Sequence, residues 1–168
     1  MRLLFRMNWS LRRAALEDLL RPHPFAFERV GFIYCRAAEI GGGIMMIAAD
    51  YATVSDNHYV EDETVGARIN GAAIRAALQS ALTKNVGLFH VHVHGHSGVP
   101  KPSRTDLIES RKFVPDFFNA APLMPHGTLI LSNDSAFGNC WLSKDADPQT
   151  IDRIEFVGSP FKIVDVLA

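Results

Sequence analysis

Four histidines alternate with other residues in one short segment, at His90, His92, His94 and His96. In a β-strand, successive side chains point to opposite faces, so residues two apart share one face. Imidazoles arranged in this way can converge on one metal ion. The apolar residues 86–89 precede them, which places the histidines at the C-terminal end of a buried strand. The spacing therefore predicts half of a zinc site where a buried strand opens to solvent.

Packing in the core is the alternative explanation for these residues. A single histidine on an apolar strand is more often a satisfied core residue than a metal ligand. Four of them at a period of two are harder to accommodate, because a buried polar group without a partner costs about 1–3 kcal/mol. We therefore favour metal binding.

A Ser-x-x-Asp sequence follows the histidines, and a carboxylate lies upstream of them. The first is Ser103-Arg104-Thr105-Asp106, and the second is Glu28, which opens the apolar segment 28–33. Together with a His-x-His pair, these residues resemble the JAMM motif of the MPN (JAB) metalloprotease family. The resemblance covers roughly residues 25–143 and leaves the first two dozen residues outside it.

The resemblance implies a zinc metallopeptidase of the isopeptidase, or deubiquitinase-like, type. In that family two His and the Asp bind Zn²⁺ and leave the fourth position to water, the upstream Glu shuttles its proton, and the Ser helps to hold the oxyanion. Carried over to this sequence, Asp106 is a zinc ligand, Glu28 is the proton shuttle and Ser103 stabilises the oxyanion.

The resemblance also implies protein partners. Family members usually cut isopeptide-linked ubiquitin or ubiquitin-like proteins after the C-terminal tail. Bacterial relatives act beside activating and conjugating enzymes, some of them in antiphage operons. We therefore expect the substrate to be a ubiquitin-like protein or its conjugates, with the activating and conjugating enzymes of the same pathway as further partners.

The pair of histidines that binds the metal is open at this stage. The family usually has seven residues between its second His and the Ser, whereas here the Ser follows His92 after ten residues, His94 after eight and His96 after six. We favour His90 with His92, because the preceding residues resemble the family's lead into its pair and loops absorb insertions more easily than strands. The alternative pair, His92 with His94, needs one extra loop residue. In the favoured register, His94 and His96 line the mouth of the site.

Glu28 is the preferred general base among the upstream acids. A carboxylate at the edge of an apolar strand can be desolvated enough to raise its pKa toward the value that a base needs near neutral pH. Glu39 and Glu61 lack that strand context. Ser103 is also a good N-cap for the helical pattern that follows it, and capping and catalysis can coexist.

Three other functions remain as alternatives. A small-molecule zinc amidase would share the site chemistry. A non-catalytic MPN scaffold would lack one or more metal ligands, and the intact His, Ser and Asp set argues against it. A deaminase would need a Cys-x-x-Cys and a His-x-Glu sequence, and neither is present.

The composition is typical of a small enzyme. The 168 residues are 48% hydrophobic, which suits a single domain over residues 1–168 with a sizeable core. The net charge of −1, with scattered basic residues, argues against a nucleic-acid partner. Only Cys35 and Cys140 occur, so we expect a reducing compartment. Without a long apolar run, we expect no membrane partner and a cytoplasmic location.

The order of predicted elements indicates an α/β (α+β) fold. It is similar to the MPN/JAB fold, a cytidine-deaminase-like curved mixed β-sheet flanked by helices. The predicted elements are an edge strand at 3–7, a helix at 11–20 capped by Ser10, strands at 27–36 and 44–50, a helix from Asn70 to Thr83, the histidine strand, a helix from Ser103 to about Lys112 broken near Pro115, and strands at 128–131, 139–143, 154–157 and 161–166.

Overall fold

A computed structural model describes residues 1–24, 26–62 and 64–166 of the chain. Within these residues, nine strands form one curled sheet and three α-helices flank it, which confirms a mixed α and β fold. The strands are β1 (Arg2–Asn8), β2 (Val30–Ile40), β3 (Gly43–Thr53), β4 (Gly87–Val93), β5 (His126–Leu131), β6 (Ala136–Trp141), β7 (Gln149–Thr150), β8 (Arg153–Val157) and β9 (Lys162–Asp165). The helices are α1 (Trp9–Leu19), α2 (Gly71–Lys84) and α3 (Arg104–Phe117).

The histidine strand β4 lies inside the sheet. The strand order is β7-β6-β5-β4-β2-β3-β1-β8-β9, and β4 pairs antiparallel with β2 and parallel with β5. Parallel neighbours need a crossover connection, and α3 is part of the segment that joins β4 to β5. The chain therefore leaves the carboxyl end of β4 and enters α3 before it returns to the sheet.

Strand β1 is not the edge strand that the sequence predicts. It lies between β3 and β8 and is parallel to both. Its side chains explain this position, because Leu3, Phe5 and Met7 are buried on one face and Leu4 on the other. An apolar run without alternation is typical of a strand that is covered on both faces.

The helix boundaries differ from the predicted ones at two places. Helix α1 begins earlier, and Asn8 rather than Ser10 is its N-cap, since the Asn8 side chain accepts a hydrogen bond from the Leu11 N–H at 2.7 Å. Helix α3 continues through Pro115 instead of breaking there. Proline removes one backbone donor, but this one lies in the last turn, and the burial of Val114 and Phe117 stabilises that turn.

Helix α2 follows the prediction closely. Asn70 is its N-cap and accepts hydrogen bonds from the N–H groups of Ala72 and Ala73. None of the helices in the described part of the chain is both long and apolar enough to cross a lipid bilayer.

The sheet separates two apolar clusters. On one face, Phe89, Val91 and Val93 of β4 pack in the same cluster as Ala15 and Leu19 of α1. On the other face, a second cluster joins buried residues of β2 and β4 to helices α2 and α3. The histidines at even positions of β4 therefore point to the face that α2 and α3 cover.

A buried arginine links α1 to the turn between β5 and β6. The Arg12 side chain donates hydrogen bonds to the carbonyls of Ser132 and Asn133 at 2.9 and 3.0 Å. Its guanidinium also lies over the rings of Trp9 and Phe156. Burial lowers the pKa of Arg12, an effect that the charge of nearby Asp134 opposes.

The turn between β5 and β6 also holds the loop that follows the histidines. The Asn133 N–H donates to the carbonyl of His96 at 2.9 Å, and the Ser132 hydroxyl donates to the carbonyl of Gly98 at 2.7 Å. The Gly98 N–H donates to the Asp134 carboxylate at 2.7 Å. Arg12 thus supports, through the turn, the path of the chain from β4 toward α3.

We expect Arg12→Leu to lower the free energy of unfolding by about 2–4 kcal/mol, because it leaves buried carbonyls without their donor. Urea denaturation of the variant checks this. The matched control is Arg13→Leu, whose side chain is 76% exposed, and which should change stability by less than about 0.5 kcal/mol. Equal destabilisation by both changes would contradict the supporting role of Arg12.

Candidate metal centre

Two histidines meet at the carboxyl end of β4. The Nε2 atoms of His92 and His94 lie 3.2 Å apart. The His94 N–H donates to the carbonyl of Leu131 at 2.8 Å, so backbone bonding to the β5 strand continues just past the end of β4. This bond keeps His94 on the same face as His92, the face toward α3.

Asp106 approaches both histidines from the first turn of α3. Its carboxylate oxygens lie 3.5 Å from His92 Nε2 and 3.9 Å from His94 Nε2. A capping box fixes the carboxylate, because Asp106 Oδ2 accepts from the Ser103 N–H at 2.7 Å and the Ser103 hydroxyl accepts from the Asp106 N–H at 3.1 Å. The predicted N-cap role of Ser103 is confirmed, and it orients the third member of the cluster.

The three side chains fit a metal ion. Zinc bonds to histidine nitrogen and carboxylate oxygen are about 2.0–2.2 Å long, so tetrahedral ligand atoms lie about 3.3–3.6 Å apart. The two Nε2 atoms, 3.2 Å apart, and the nearest Asp106 oxygens, Oδ1 at 3.5 Å from His92 and Oδ2 at 3.9 Å from His94, lie close to this range. His92, His94 and Asp106 therefore form a cluster that could bind a metal ion.

The protonation state of His92 suits this role. Burial, and to a smaller extent the neighbouring His94, lower the pKa of His92 to about 4, although the charge of Asp106 acts in the other direction. At neutral pH the imidazole is uncharged, so a ring nitrogen offers a lone pair to a metal ion.

The structure does not bring His90 into this cluster. Its ring centroid lies 6.1 Å from that of His92, and it packs against the rings of Phe113 at 5.1 Å and Phe32 at 5.9 Å. His90 stands one strand repeat before His92, and Asp106 is within ligand distance of the two later histidines only. The geometry therefore favours the alternative pair, His92 with His94, over the pair favoured from the sequence, His90 with His92.

His96 also lies outside the cluster. Its side chain is exposed, and its Nδ1 lies 2.9 Å from the carbonyl oxygen of Ser97. Strand β4 ends at Val93, so His96 lies in the loop after the strand and does not continue the alternation that the sequence suggested.

Glu28 lies in the same cleft as His92 and Asp106 of the candidate metal cluster. The cleft has a volume of about 570 Å³, and Glu28, His90, His92 and Asp106 contribute to its lining. Val30 pairs with His92 across β2 and β4, so the residue two positions before Val30 lies just beyond the end of β4. Partial burial raises the pKa of Glu28, and the charge of Asp106 raises it further.

Gly66 provides the space for the Glu28 side chain. The Gly66 carbonyl accepts a hydrogen bond from the Glu28 N–H at 2.9 Å. A Cβ atom at Gly66 would lie 2.7 Å from Glu28 Oε2, closer than real Cβ contacts allow. The sequence analysis did not identify Gly66, because a single glycine in a polar loop has no pattern that marks it as a neighbour of the base.

The other two candidate bases are placed elsewhere. Glu39 is exposed near the far end of β2, and Glu61 is an exposed loop residue. Neither contributes to the lining of the cleft. Of the three carboxylates considered from the sequence, Glu28 alone faces the candidate metal centre.

Comparison with known proteins adds no family assignment. No protein-family model matches the sequence, and no curated protein is significantly similar to it. The interpretation of the site therefore rests on the motif and on the geometry of the side chains.

We expect His92→Ala and His94→Ala to abolish metal binding, because each removes one of the three ligands. Elemental analysis after metal-replete expression checks this against about one metal ion per chain in the wild type. His96→Ala is the matched control and should retain the metal, as should His90→Ala. Metal retained by His94→Ala but lost by His90→Ala would restore the pair favoured from the sequence.

The raised pKa of Glu28 predicts a pH-dependent stability difference. The folded state holds the Glu28 proton more tightly than the unfolded chain does, so stability is lost as the pH rises through the two pKa values. Metal-free Glu28→Gln should therefore melt at a higher temperature than the metal-free wild type at pH 7. The gain should be about 2–4 °C for each kcal/mol relieved.

The same thermal scans at pH 4 provide the control. There the wild-type carboxyl is largely protonated, and the difference between the two melting temperatures should shrink. A wild type that is more stable than Glu28→Gln at pH 7 would contradict the desolvation of Glu28.

Proposed function

We propose that the protein is a zinc-dependent isopeptidase or peptidase of the JAMM type, which hydrolyses the amide bond after the C-terminal tail of a ubiquitin-like protein. One observation carries this proposal. His92, His94 and Asp106 form a cluster of two imidazoles and a carboxylate, and two of its members, His92 and Asp106, line the same cleft as the partly buried carboxyl group of Glu28. This is the residue set that the JAMM resemblance requires.

The ligand chemistry supports zinc as the metal. Imidazole and carboxylate donors in a three-residue set are typical of catalytic zinc sites, which keep one position open for chemistry. When bound, zinc would supply Lewis acidity, which polarises an amide carbonyl and makes water acidic enough to ionise near neutral pH. His92, His94 and Asp106 would hold the ion.

Glu28 would move the proton. As general base it accepts a proton from the attacking water, and it then delivers this proton to the nitrogen of the leaving amine. A carboxyl group with a raised pKa suits both halves of this transfer, because its proton affinity is closer to the working pH.

Ser103 would have two roles. Its backbone N–H and its oxygen hold Asp106 through the capping box. The hydroxyl hydrogen is not used by that box, and we assign it to the oxyanion that develops on the scissile carbonyl. The Ser103 side chain is exposed beside the cluster, so a substrate carbonyl can reach it.

We propose, on the JAMM resemblance, a substrate from a ubiquitin-like conjugation pathway inside the cell. The curled mixed sheet with helices on both faces is compatible with the α/β class to which the MPN/JAB fold belongs. Cys35 and Cys140 are both free and buried, which suits a reducing compartment such as the cytoplasm. The activating and conjugating enzymes of the pathway are the partners that we propose.

We expect Glu28→Gln to retain zinc and fold, yet to cleave a ubiquitin-like fusion protein about 10²–10⁴-fold more slowly than the wild type, because an amide accepts no proton from water. Cleavage rates measured by gel or mass spectrometry check this. Glu39→Gln is the matched control, since Glu39 is exposed outside the cleft, and it should cleave at the wild-type rate.

Two outcomes would contradict the proposal. A Glu28→Gln protein within a few-fold of the wild type would reject Glu28 as the base. A zinc-loaded wild type that cleaves no ubiquitin-like fusion or conjugate, but hydrolyses small amides, would replace the isopeptidase with a small-molecule amidase.

A further inference from the structure

A row of polar side chains crosses the floor of the cleft beside the metal centre. His90 on β4 pairs with Thr128 on β5, and Thr128 pairs with Asn139 on β6. All three residues contribute to the lining of the cleft. Paired residues of adjacent strands lie side by side on the same face, so the three side chains form a line across the strands.

The neighbours of this row on the same face are apolar. Ile130 and Phe137 pair with each other one repeat further along β5 and β6, and Phe32 pairs with His90 on the β2 side. All three line the cleft as well. Polar side chains at this depth therefore need a specific explanation.

The polar groups of the row have hydrogen-bonding capacity that the protein does not use. Over the ranges that the structure describes, no hydrogen bond is formed by the His90 ring or the Thr128 hydroxyl. Asn139 is 7% exposed, and its Oδ1 accepts from the Thr150 hydroxyl at 3.3 Å, which leaves the side-chain NH₂ group to donate elsewhere. These groups open onto the cleft and are available to a bound molecule.

The length of the row indicates the size of that molecule. Adjacent strands are about 4.8 Å apart, and alternate residues along a strand are about 6.7 Å apart. Asn139 is two strand spacings from His90, and His92 is two residues further along β4 than His90. Asn139 therefore lies about 12 Å from His92. An extended polypeptide spans this distance with about four residues. A single amino acid or a small amide does not.

The charged side chains that line the cleft do not favour an anionic ligand for the row. Its one lining cation, among the residues described, is Arg68, which is paired with Asp62 at 2.9 Å. Asp116 and Glu109 add negative charge to the lining. Uncharged groups that both donate and accept hydrogen bonds match His90, Thr128 and Asn139 best, and the peptide backbone supplies such groups at every residue.

We propose that His90, Thr128 and Asn139 form a subsite that hydrogen-bonds the backbone amides of the polypeptide substrate, within about four residues of the scissile bond. This inference rests on the proposed peptidase function and extends it. The row positions the substrate polypeptide. The apolar residues beside the row contact the substrate side chains and do not discriminate between charged and uncharged ones. The substrate must therefore reach the site as an extended segment.

Thr128→Val tests the subsite with an almost unchanged side-chain shape. With zinc content unchanged, we expect KM for a ubiquitin-like fusion to rise about 2–10-fold and kcat to stay within about two-fold, because one hydrogen bond contributes about 0.5–1.5 kcal/mol. Asn139→Leu should have a similar effect. Thr83→Val makes the same chemical change on the exposed surface of α2 and should leave both constants unchanged.

A binding measurement separates this proposal from the proposed function. Capped hexaglycine, which offers only backbone amides, is titrated into zinc-loaded Glu28→Gln protein while the Asn139 side-chain NH₂ signals are followed by NMR. We expect these signals to shift in a saturable way, and the shift to weaken in Glu28→Gln combined with Thr128→Val. Thr83→Val in the same background is the control.

The outcomes are distinguishable. Saturable shifts without cleavage of any fusion by the wild type would retain the subsite and reject the isopeptidase. Cleavage with wild-type KM in both Thr128→Val and Asn139→Leu would overturn the subsite alone. Absence of both cleavage and shifts would overturn both proposals.

Discussion

The position of one carboxylate at the start of α3 determines most of the candidate site. The capping box ties Asp106 to Ser103, so the carboxylate has a fixed direction before any metal binds. From there it lies within 4 Å of two imidazoles, and its charge adds to the rise that burial causes in the pKa of Glu28 across the cleft. A single local hydrogen-bonding motif thus links the start of a helix, the metal ligands and the proposed base.

The fold brings this helix start to the right place. Strands β4 and β5 are parallel neighbours, so the chain must leave the sheet at the carboxyl end of β4, and α3 lies in that connection. The loop between β4 and α3 is held by the turn at residues 132–135, and Arg12 supports that turn from the opposite side of the sheet. Long-range contacts of this kind fix the path of the loop, so that Asp106 of α3 comes close to His92 and His94.

The local features of the fold were predictable from the sequence, and the long-range features were not. Asn70 and Ser103 were identified as N-caps because a cap depends on residues three positions away. The central position of β1 was missed because its partner β8 lies about 150 residues later in the chain. The extent of α3 beyond Pro115 depends on side chains that the sheet covers, which a local rule for proline does not include.

The same distinction applies to the site. Residue type and spacing predicted His92, Asp106 and Glu28 as site residues, and the structure places all three in one cleft. The choice between His90 and His94 depends on where β4 ends relative to α3, and the length of the connecting loop does not determine that. The His90 ring packs against Phe32 of β2 and Phe113 of α3, and these contacts hold it apart from the cluster of His92, His94 and Asp106.

We propose above all that His92, His94 and Asp106 hold a zinc ion. Anomalous diffraction from crystals of the zinc-loaded protein, recorded on both sides of the zinc absorption edge, tests it most directly. We expect one strong anomalous difference peak per chain, about 2.0–2.2 Å from His92 Nε2, His94 Nε2 and a carboxylate oxygen of Asp106. A peak bound to His90 instead of His94, or no peak at the end of β4, would contradict it.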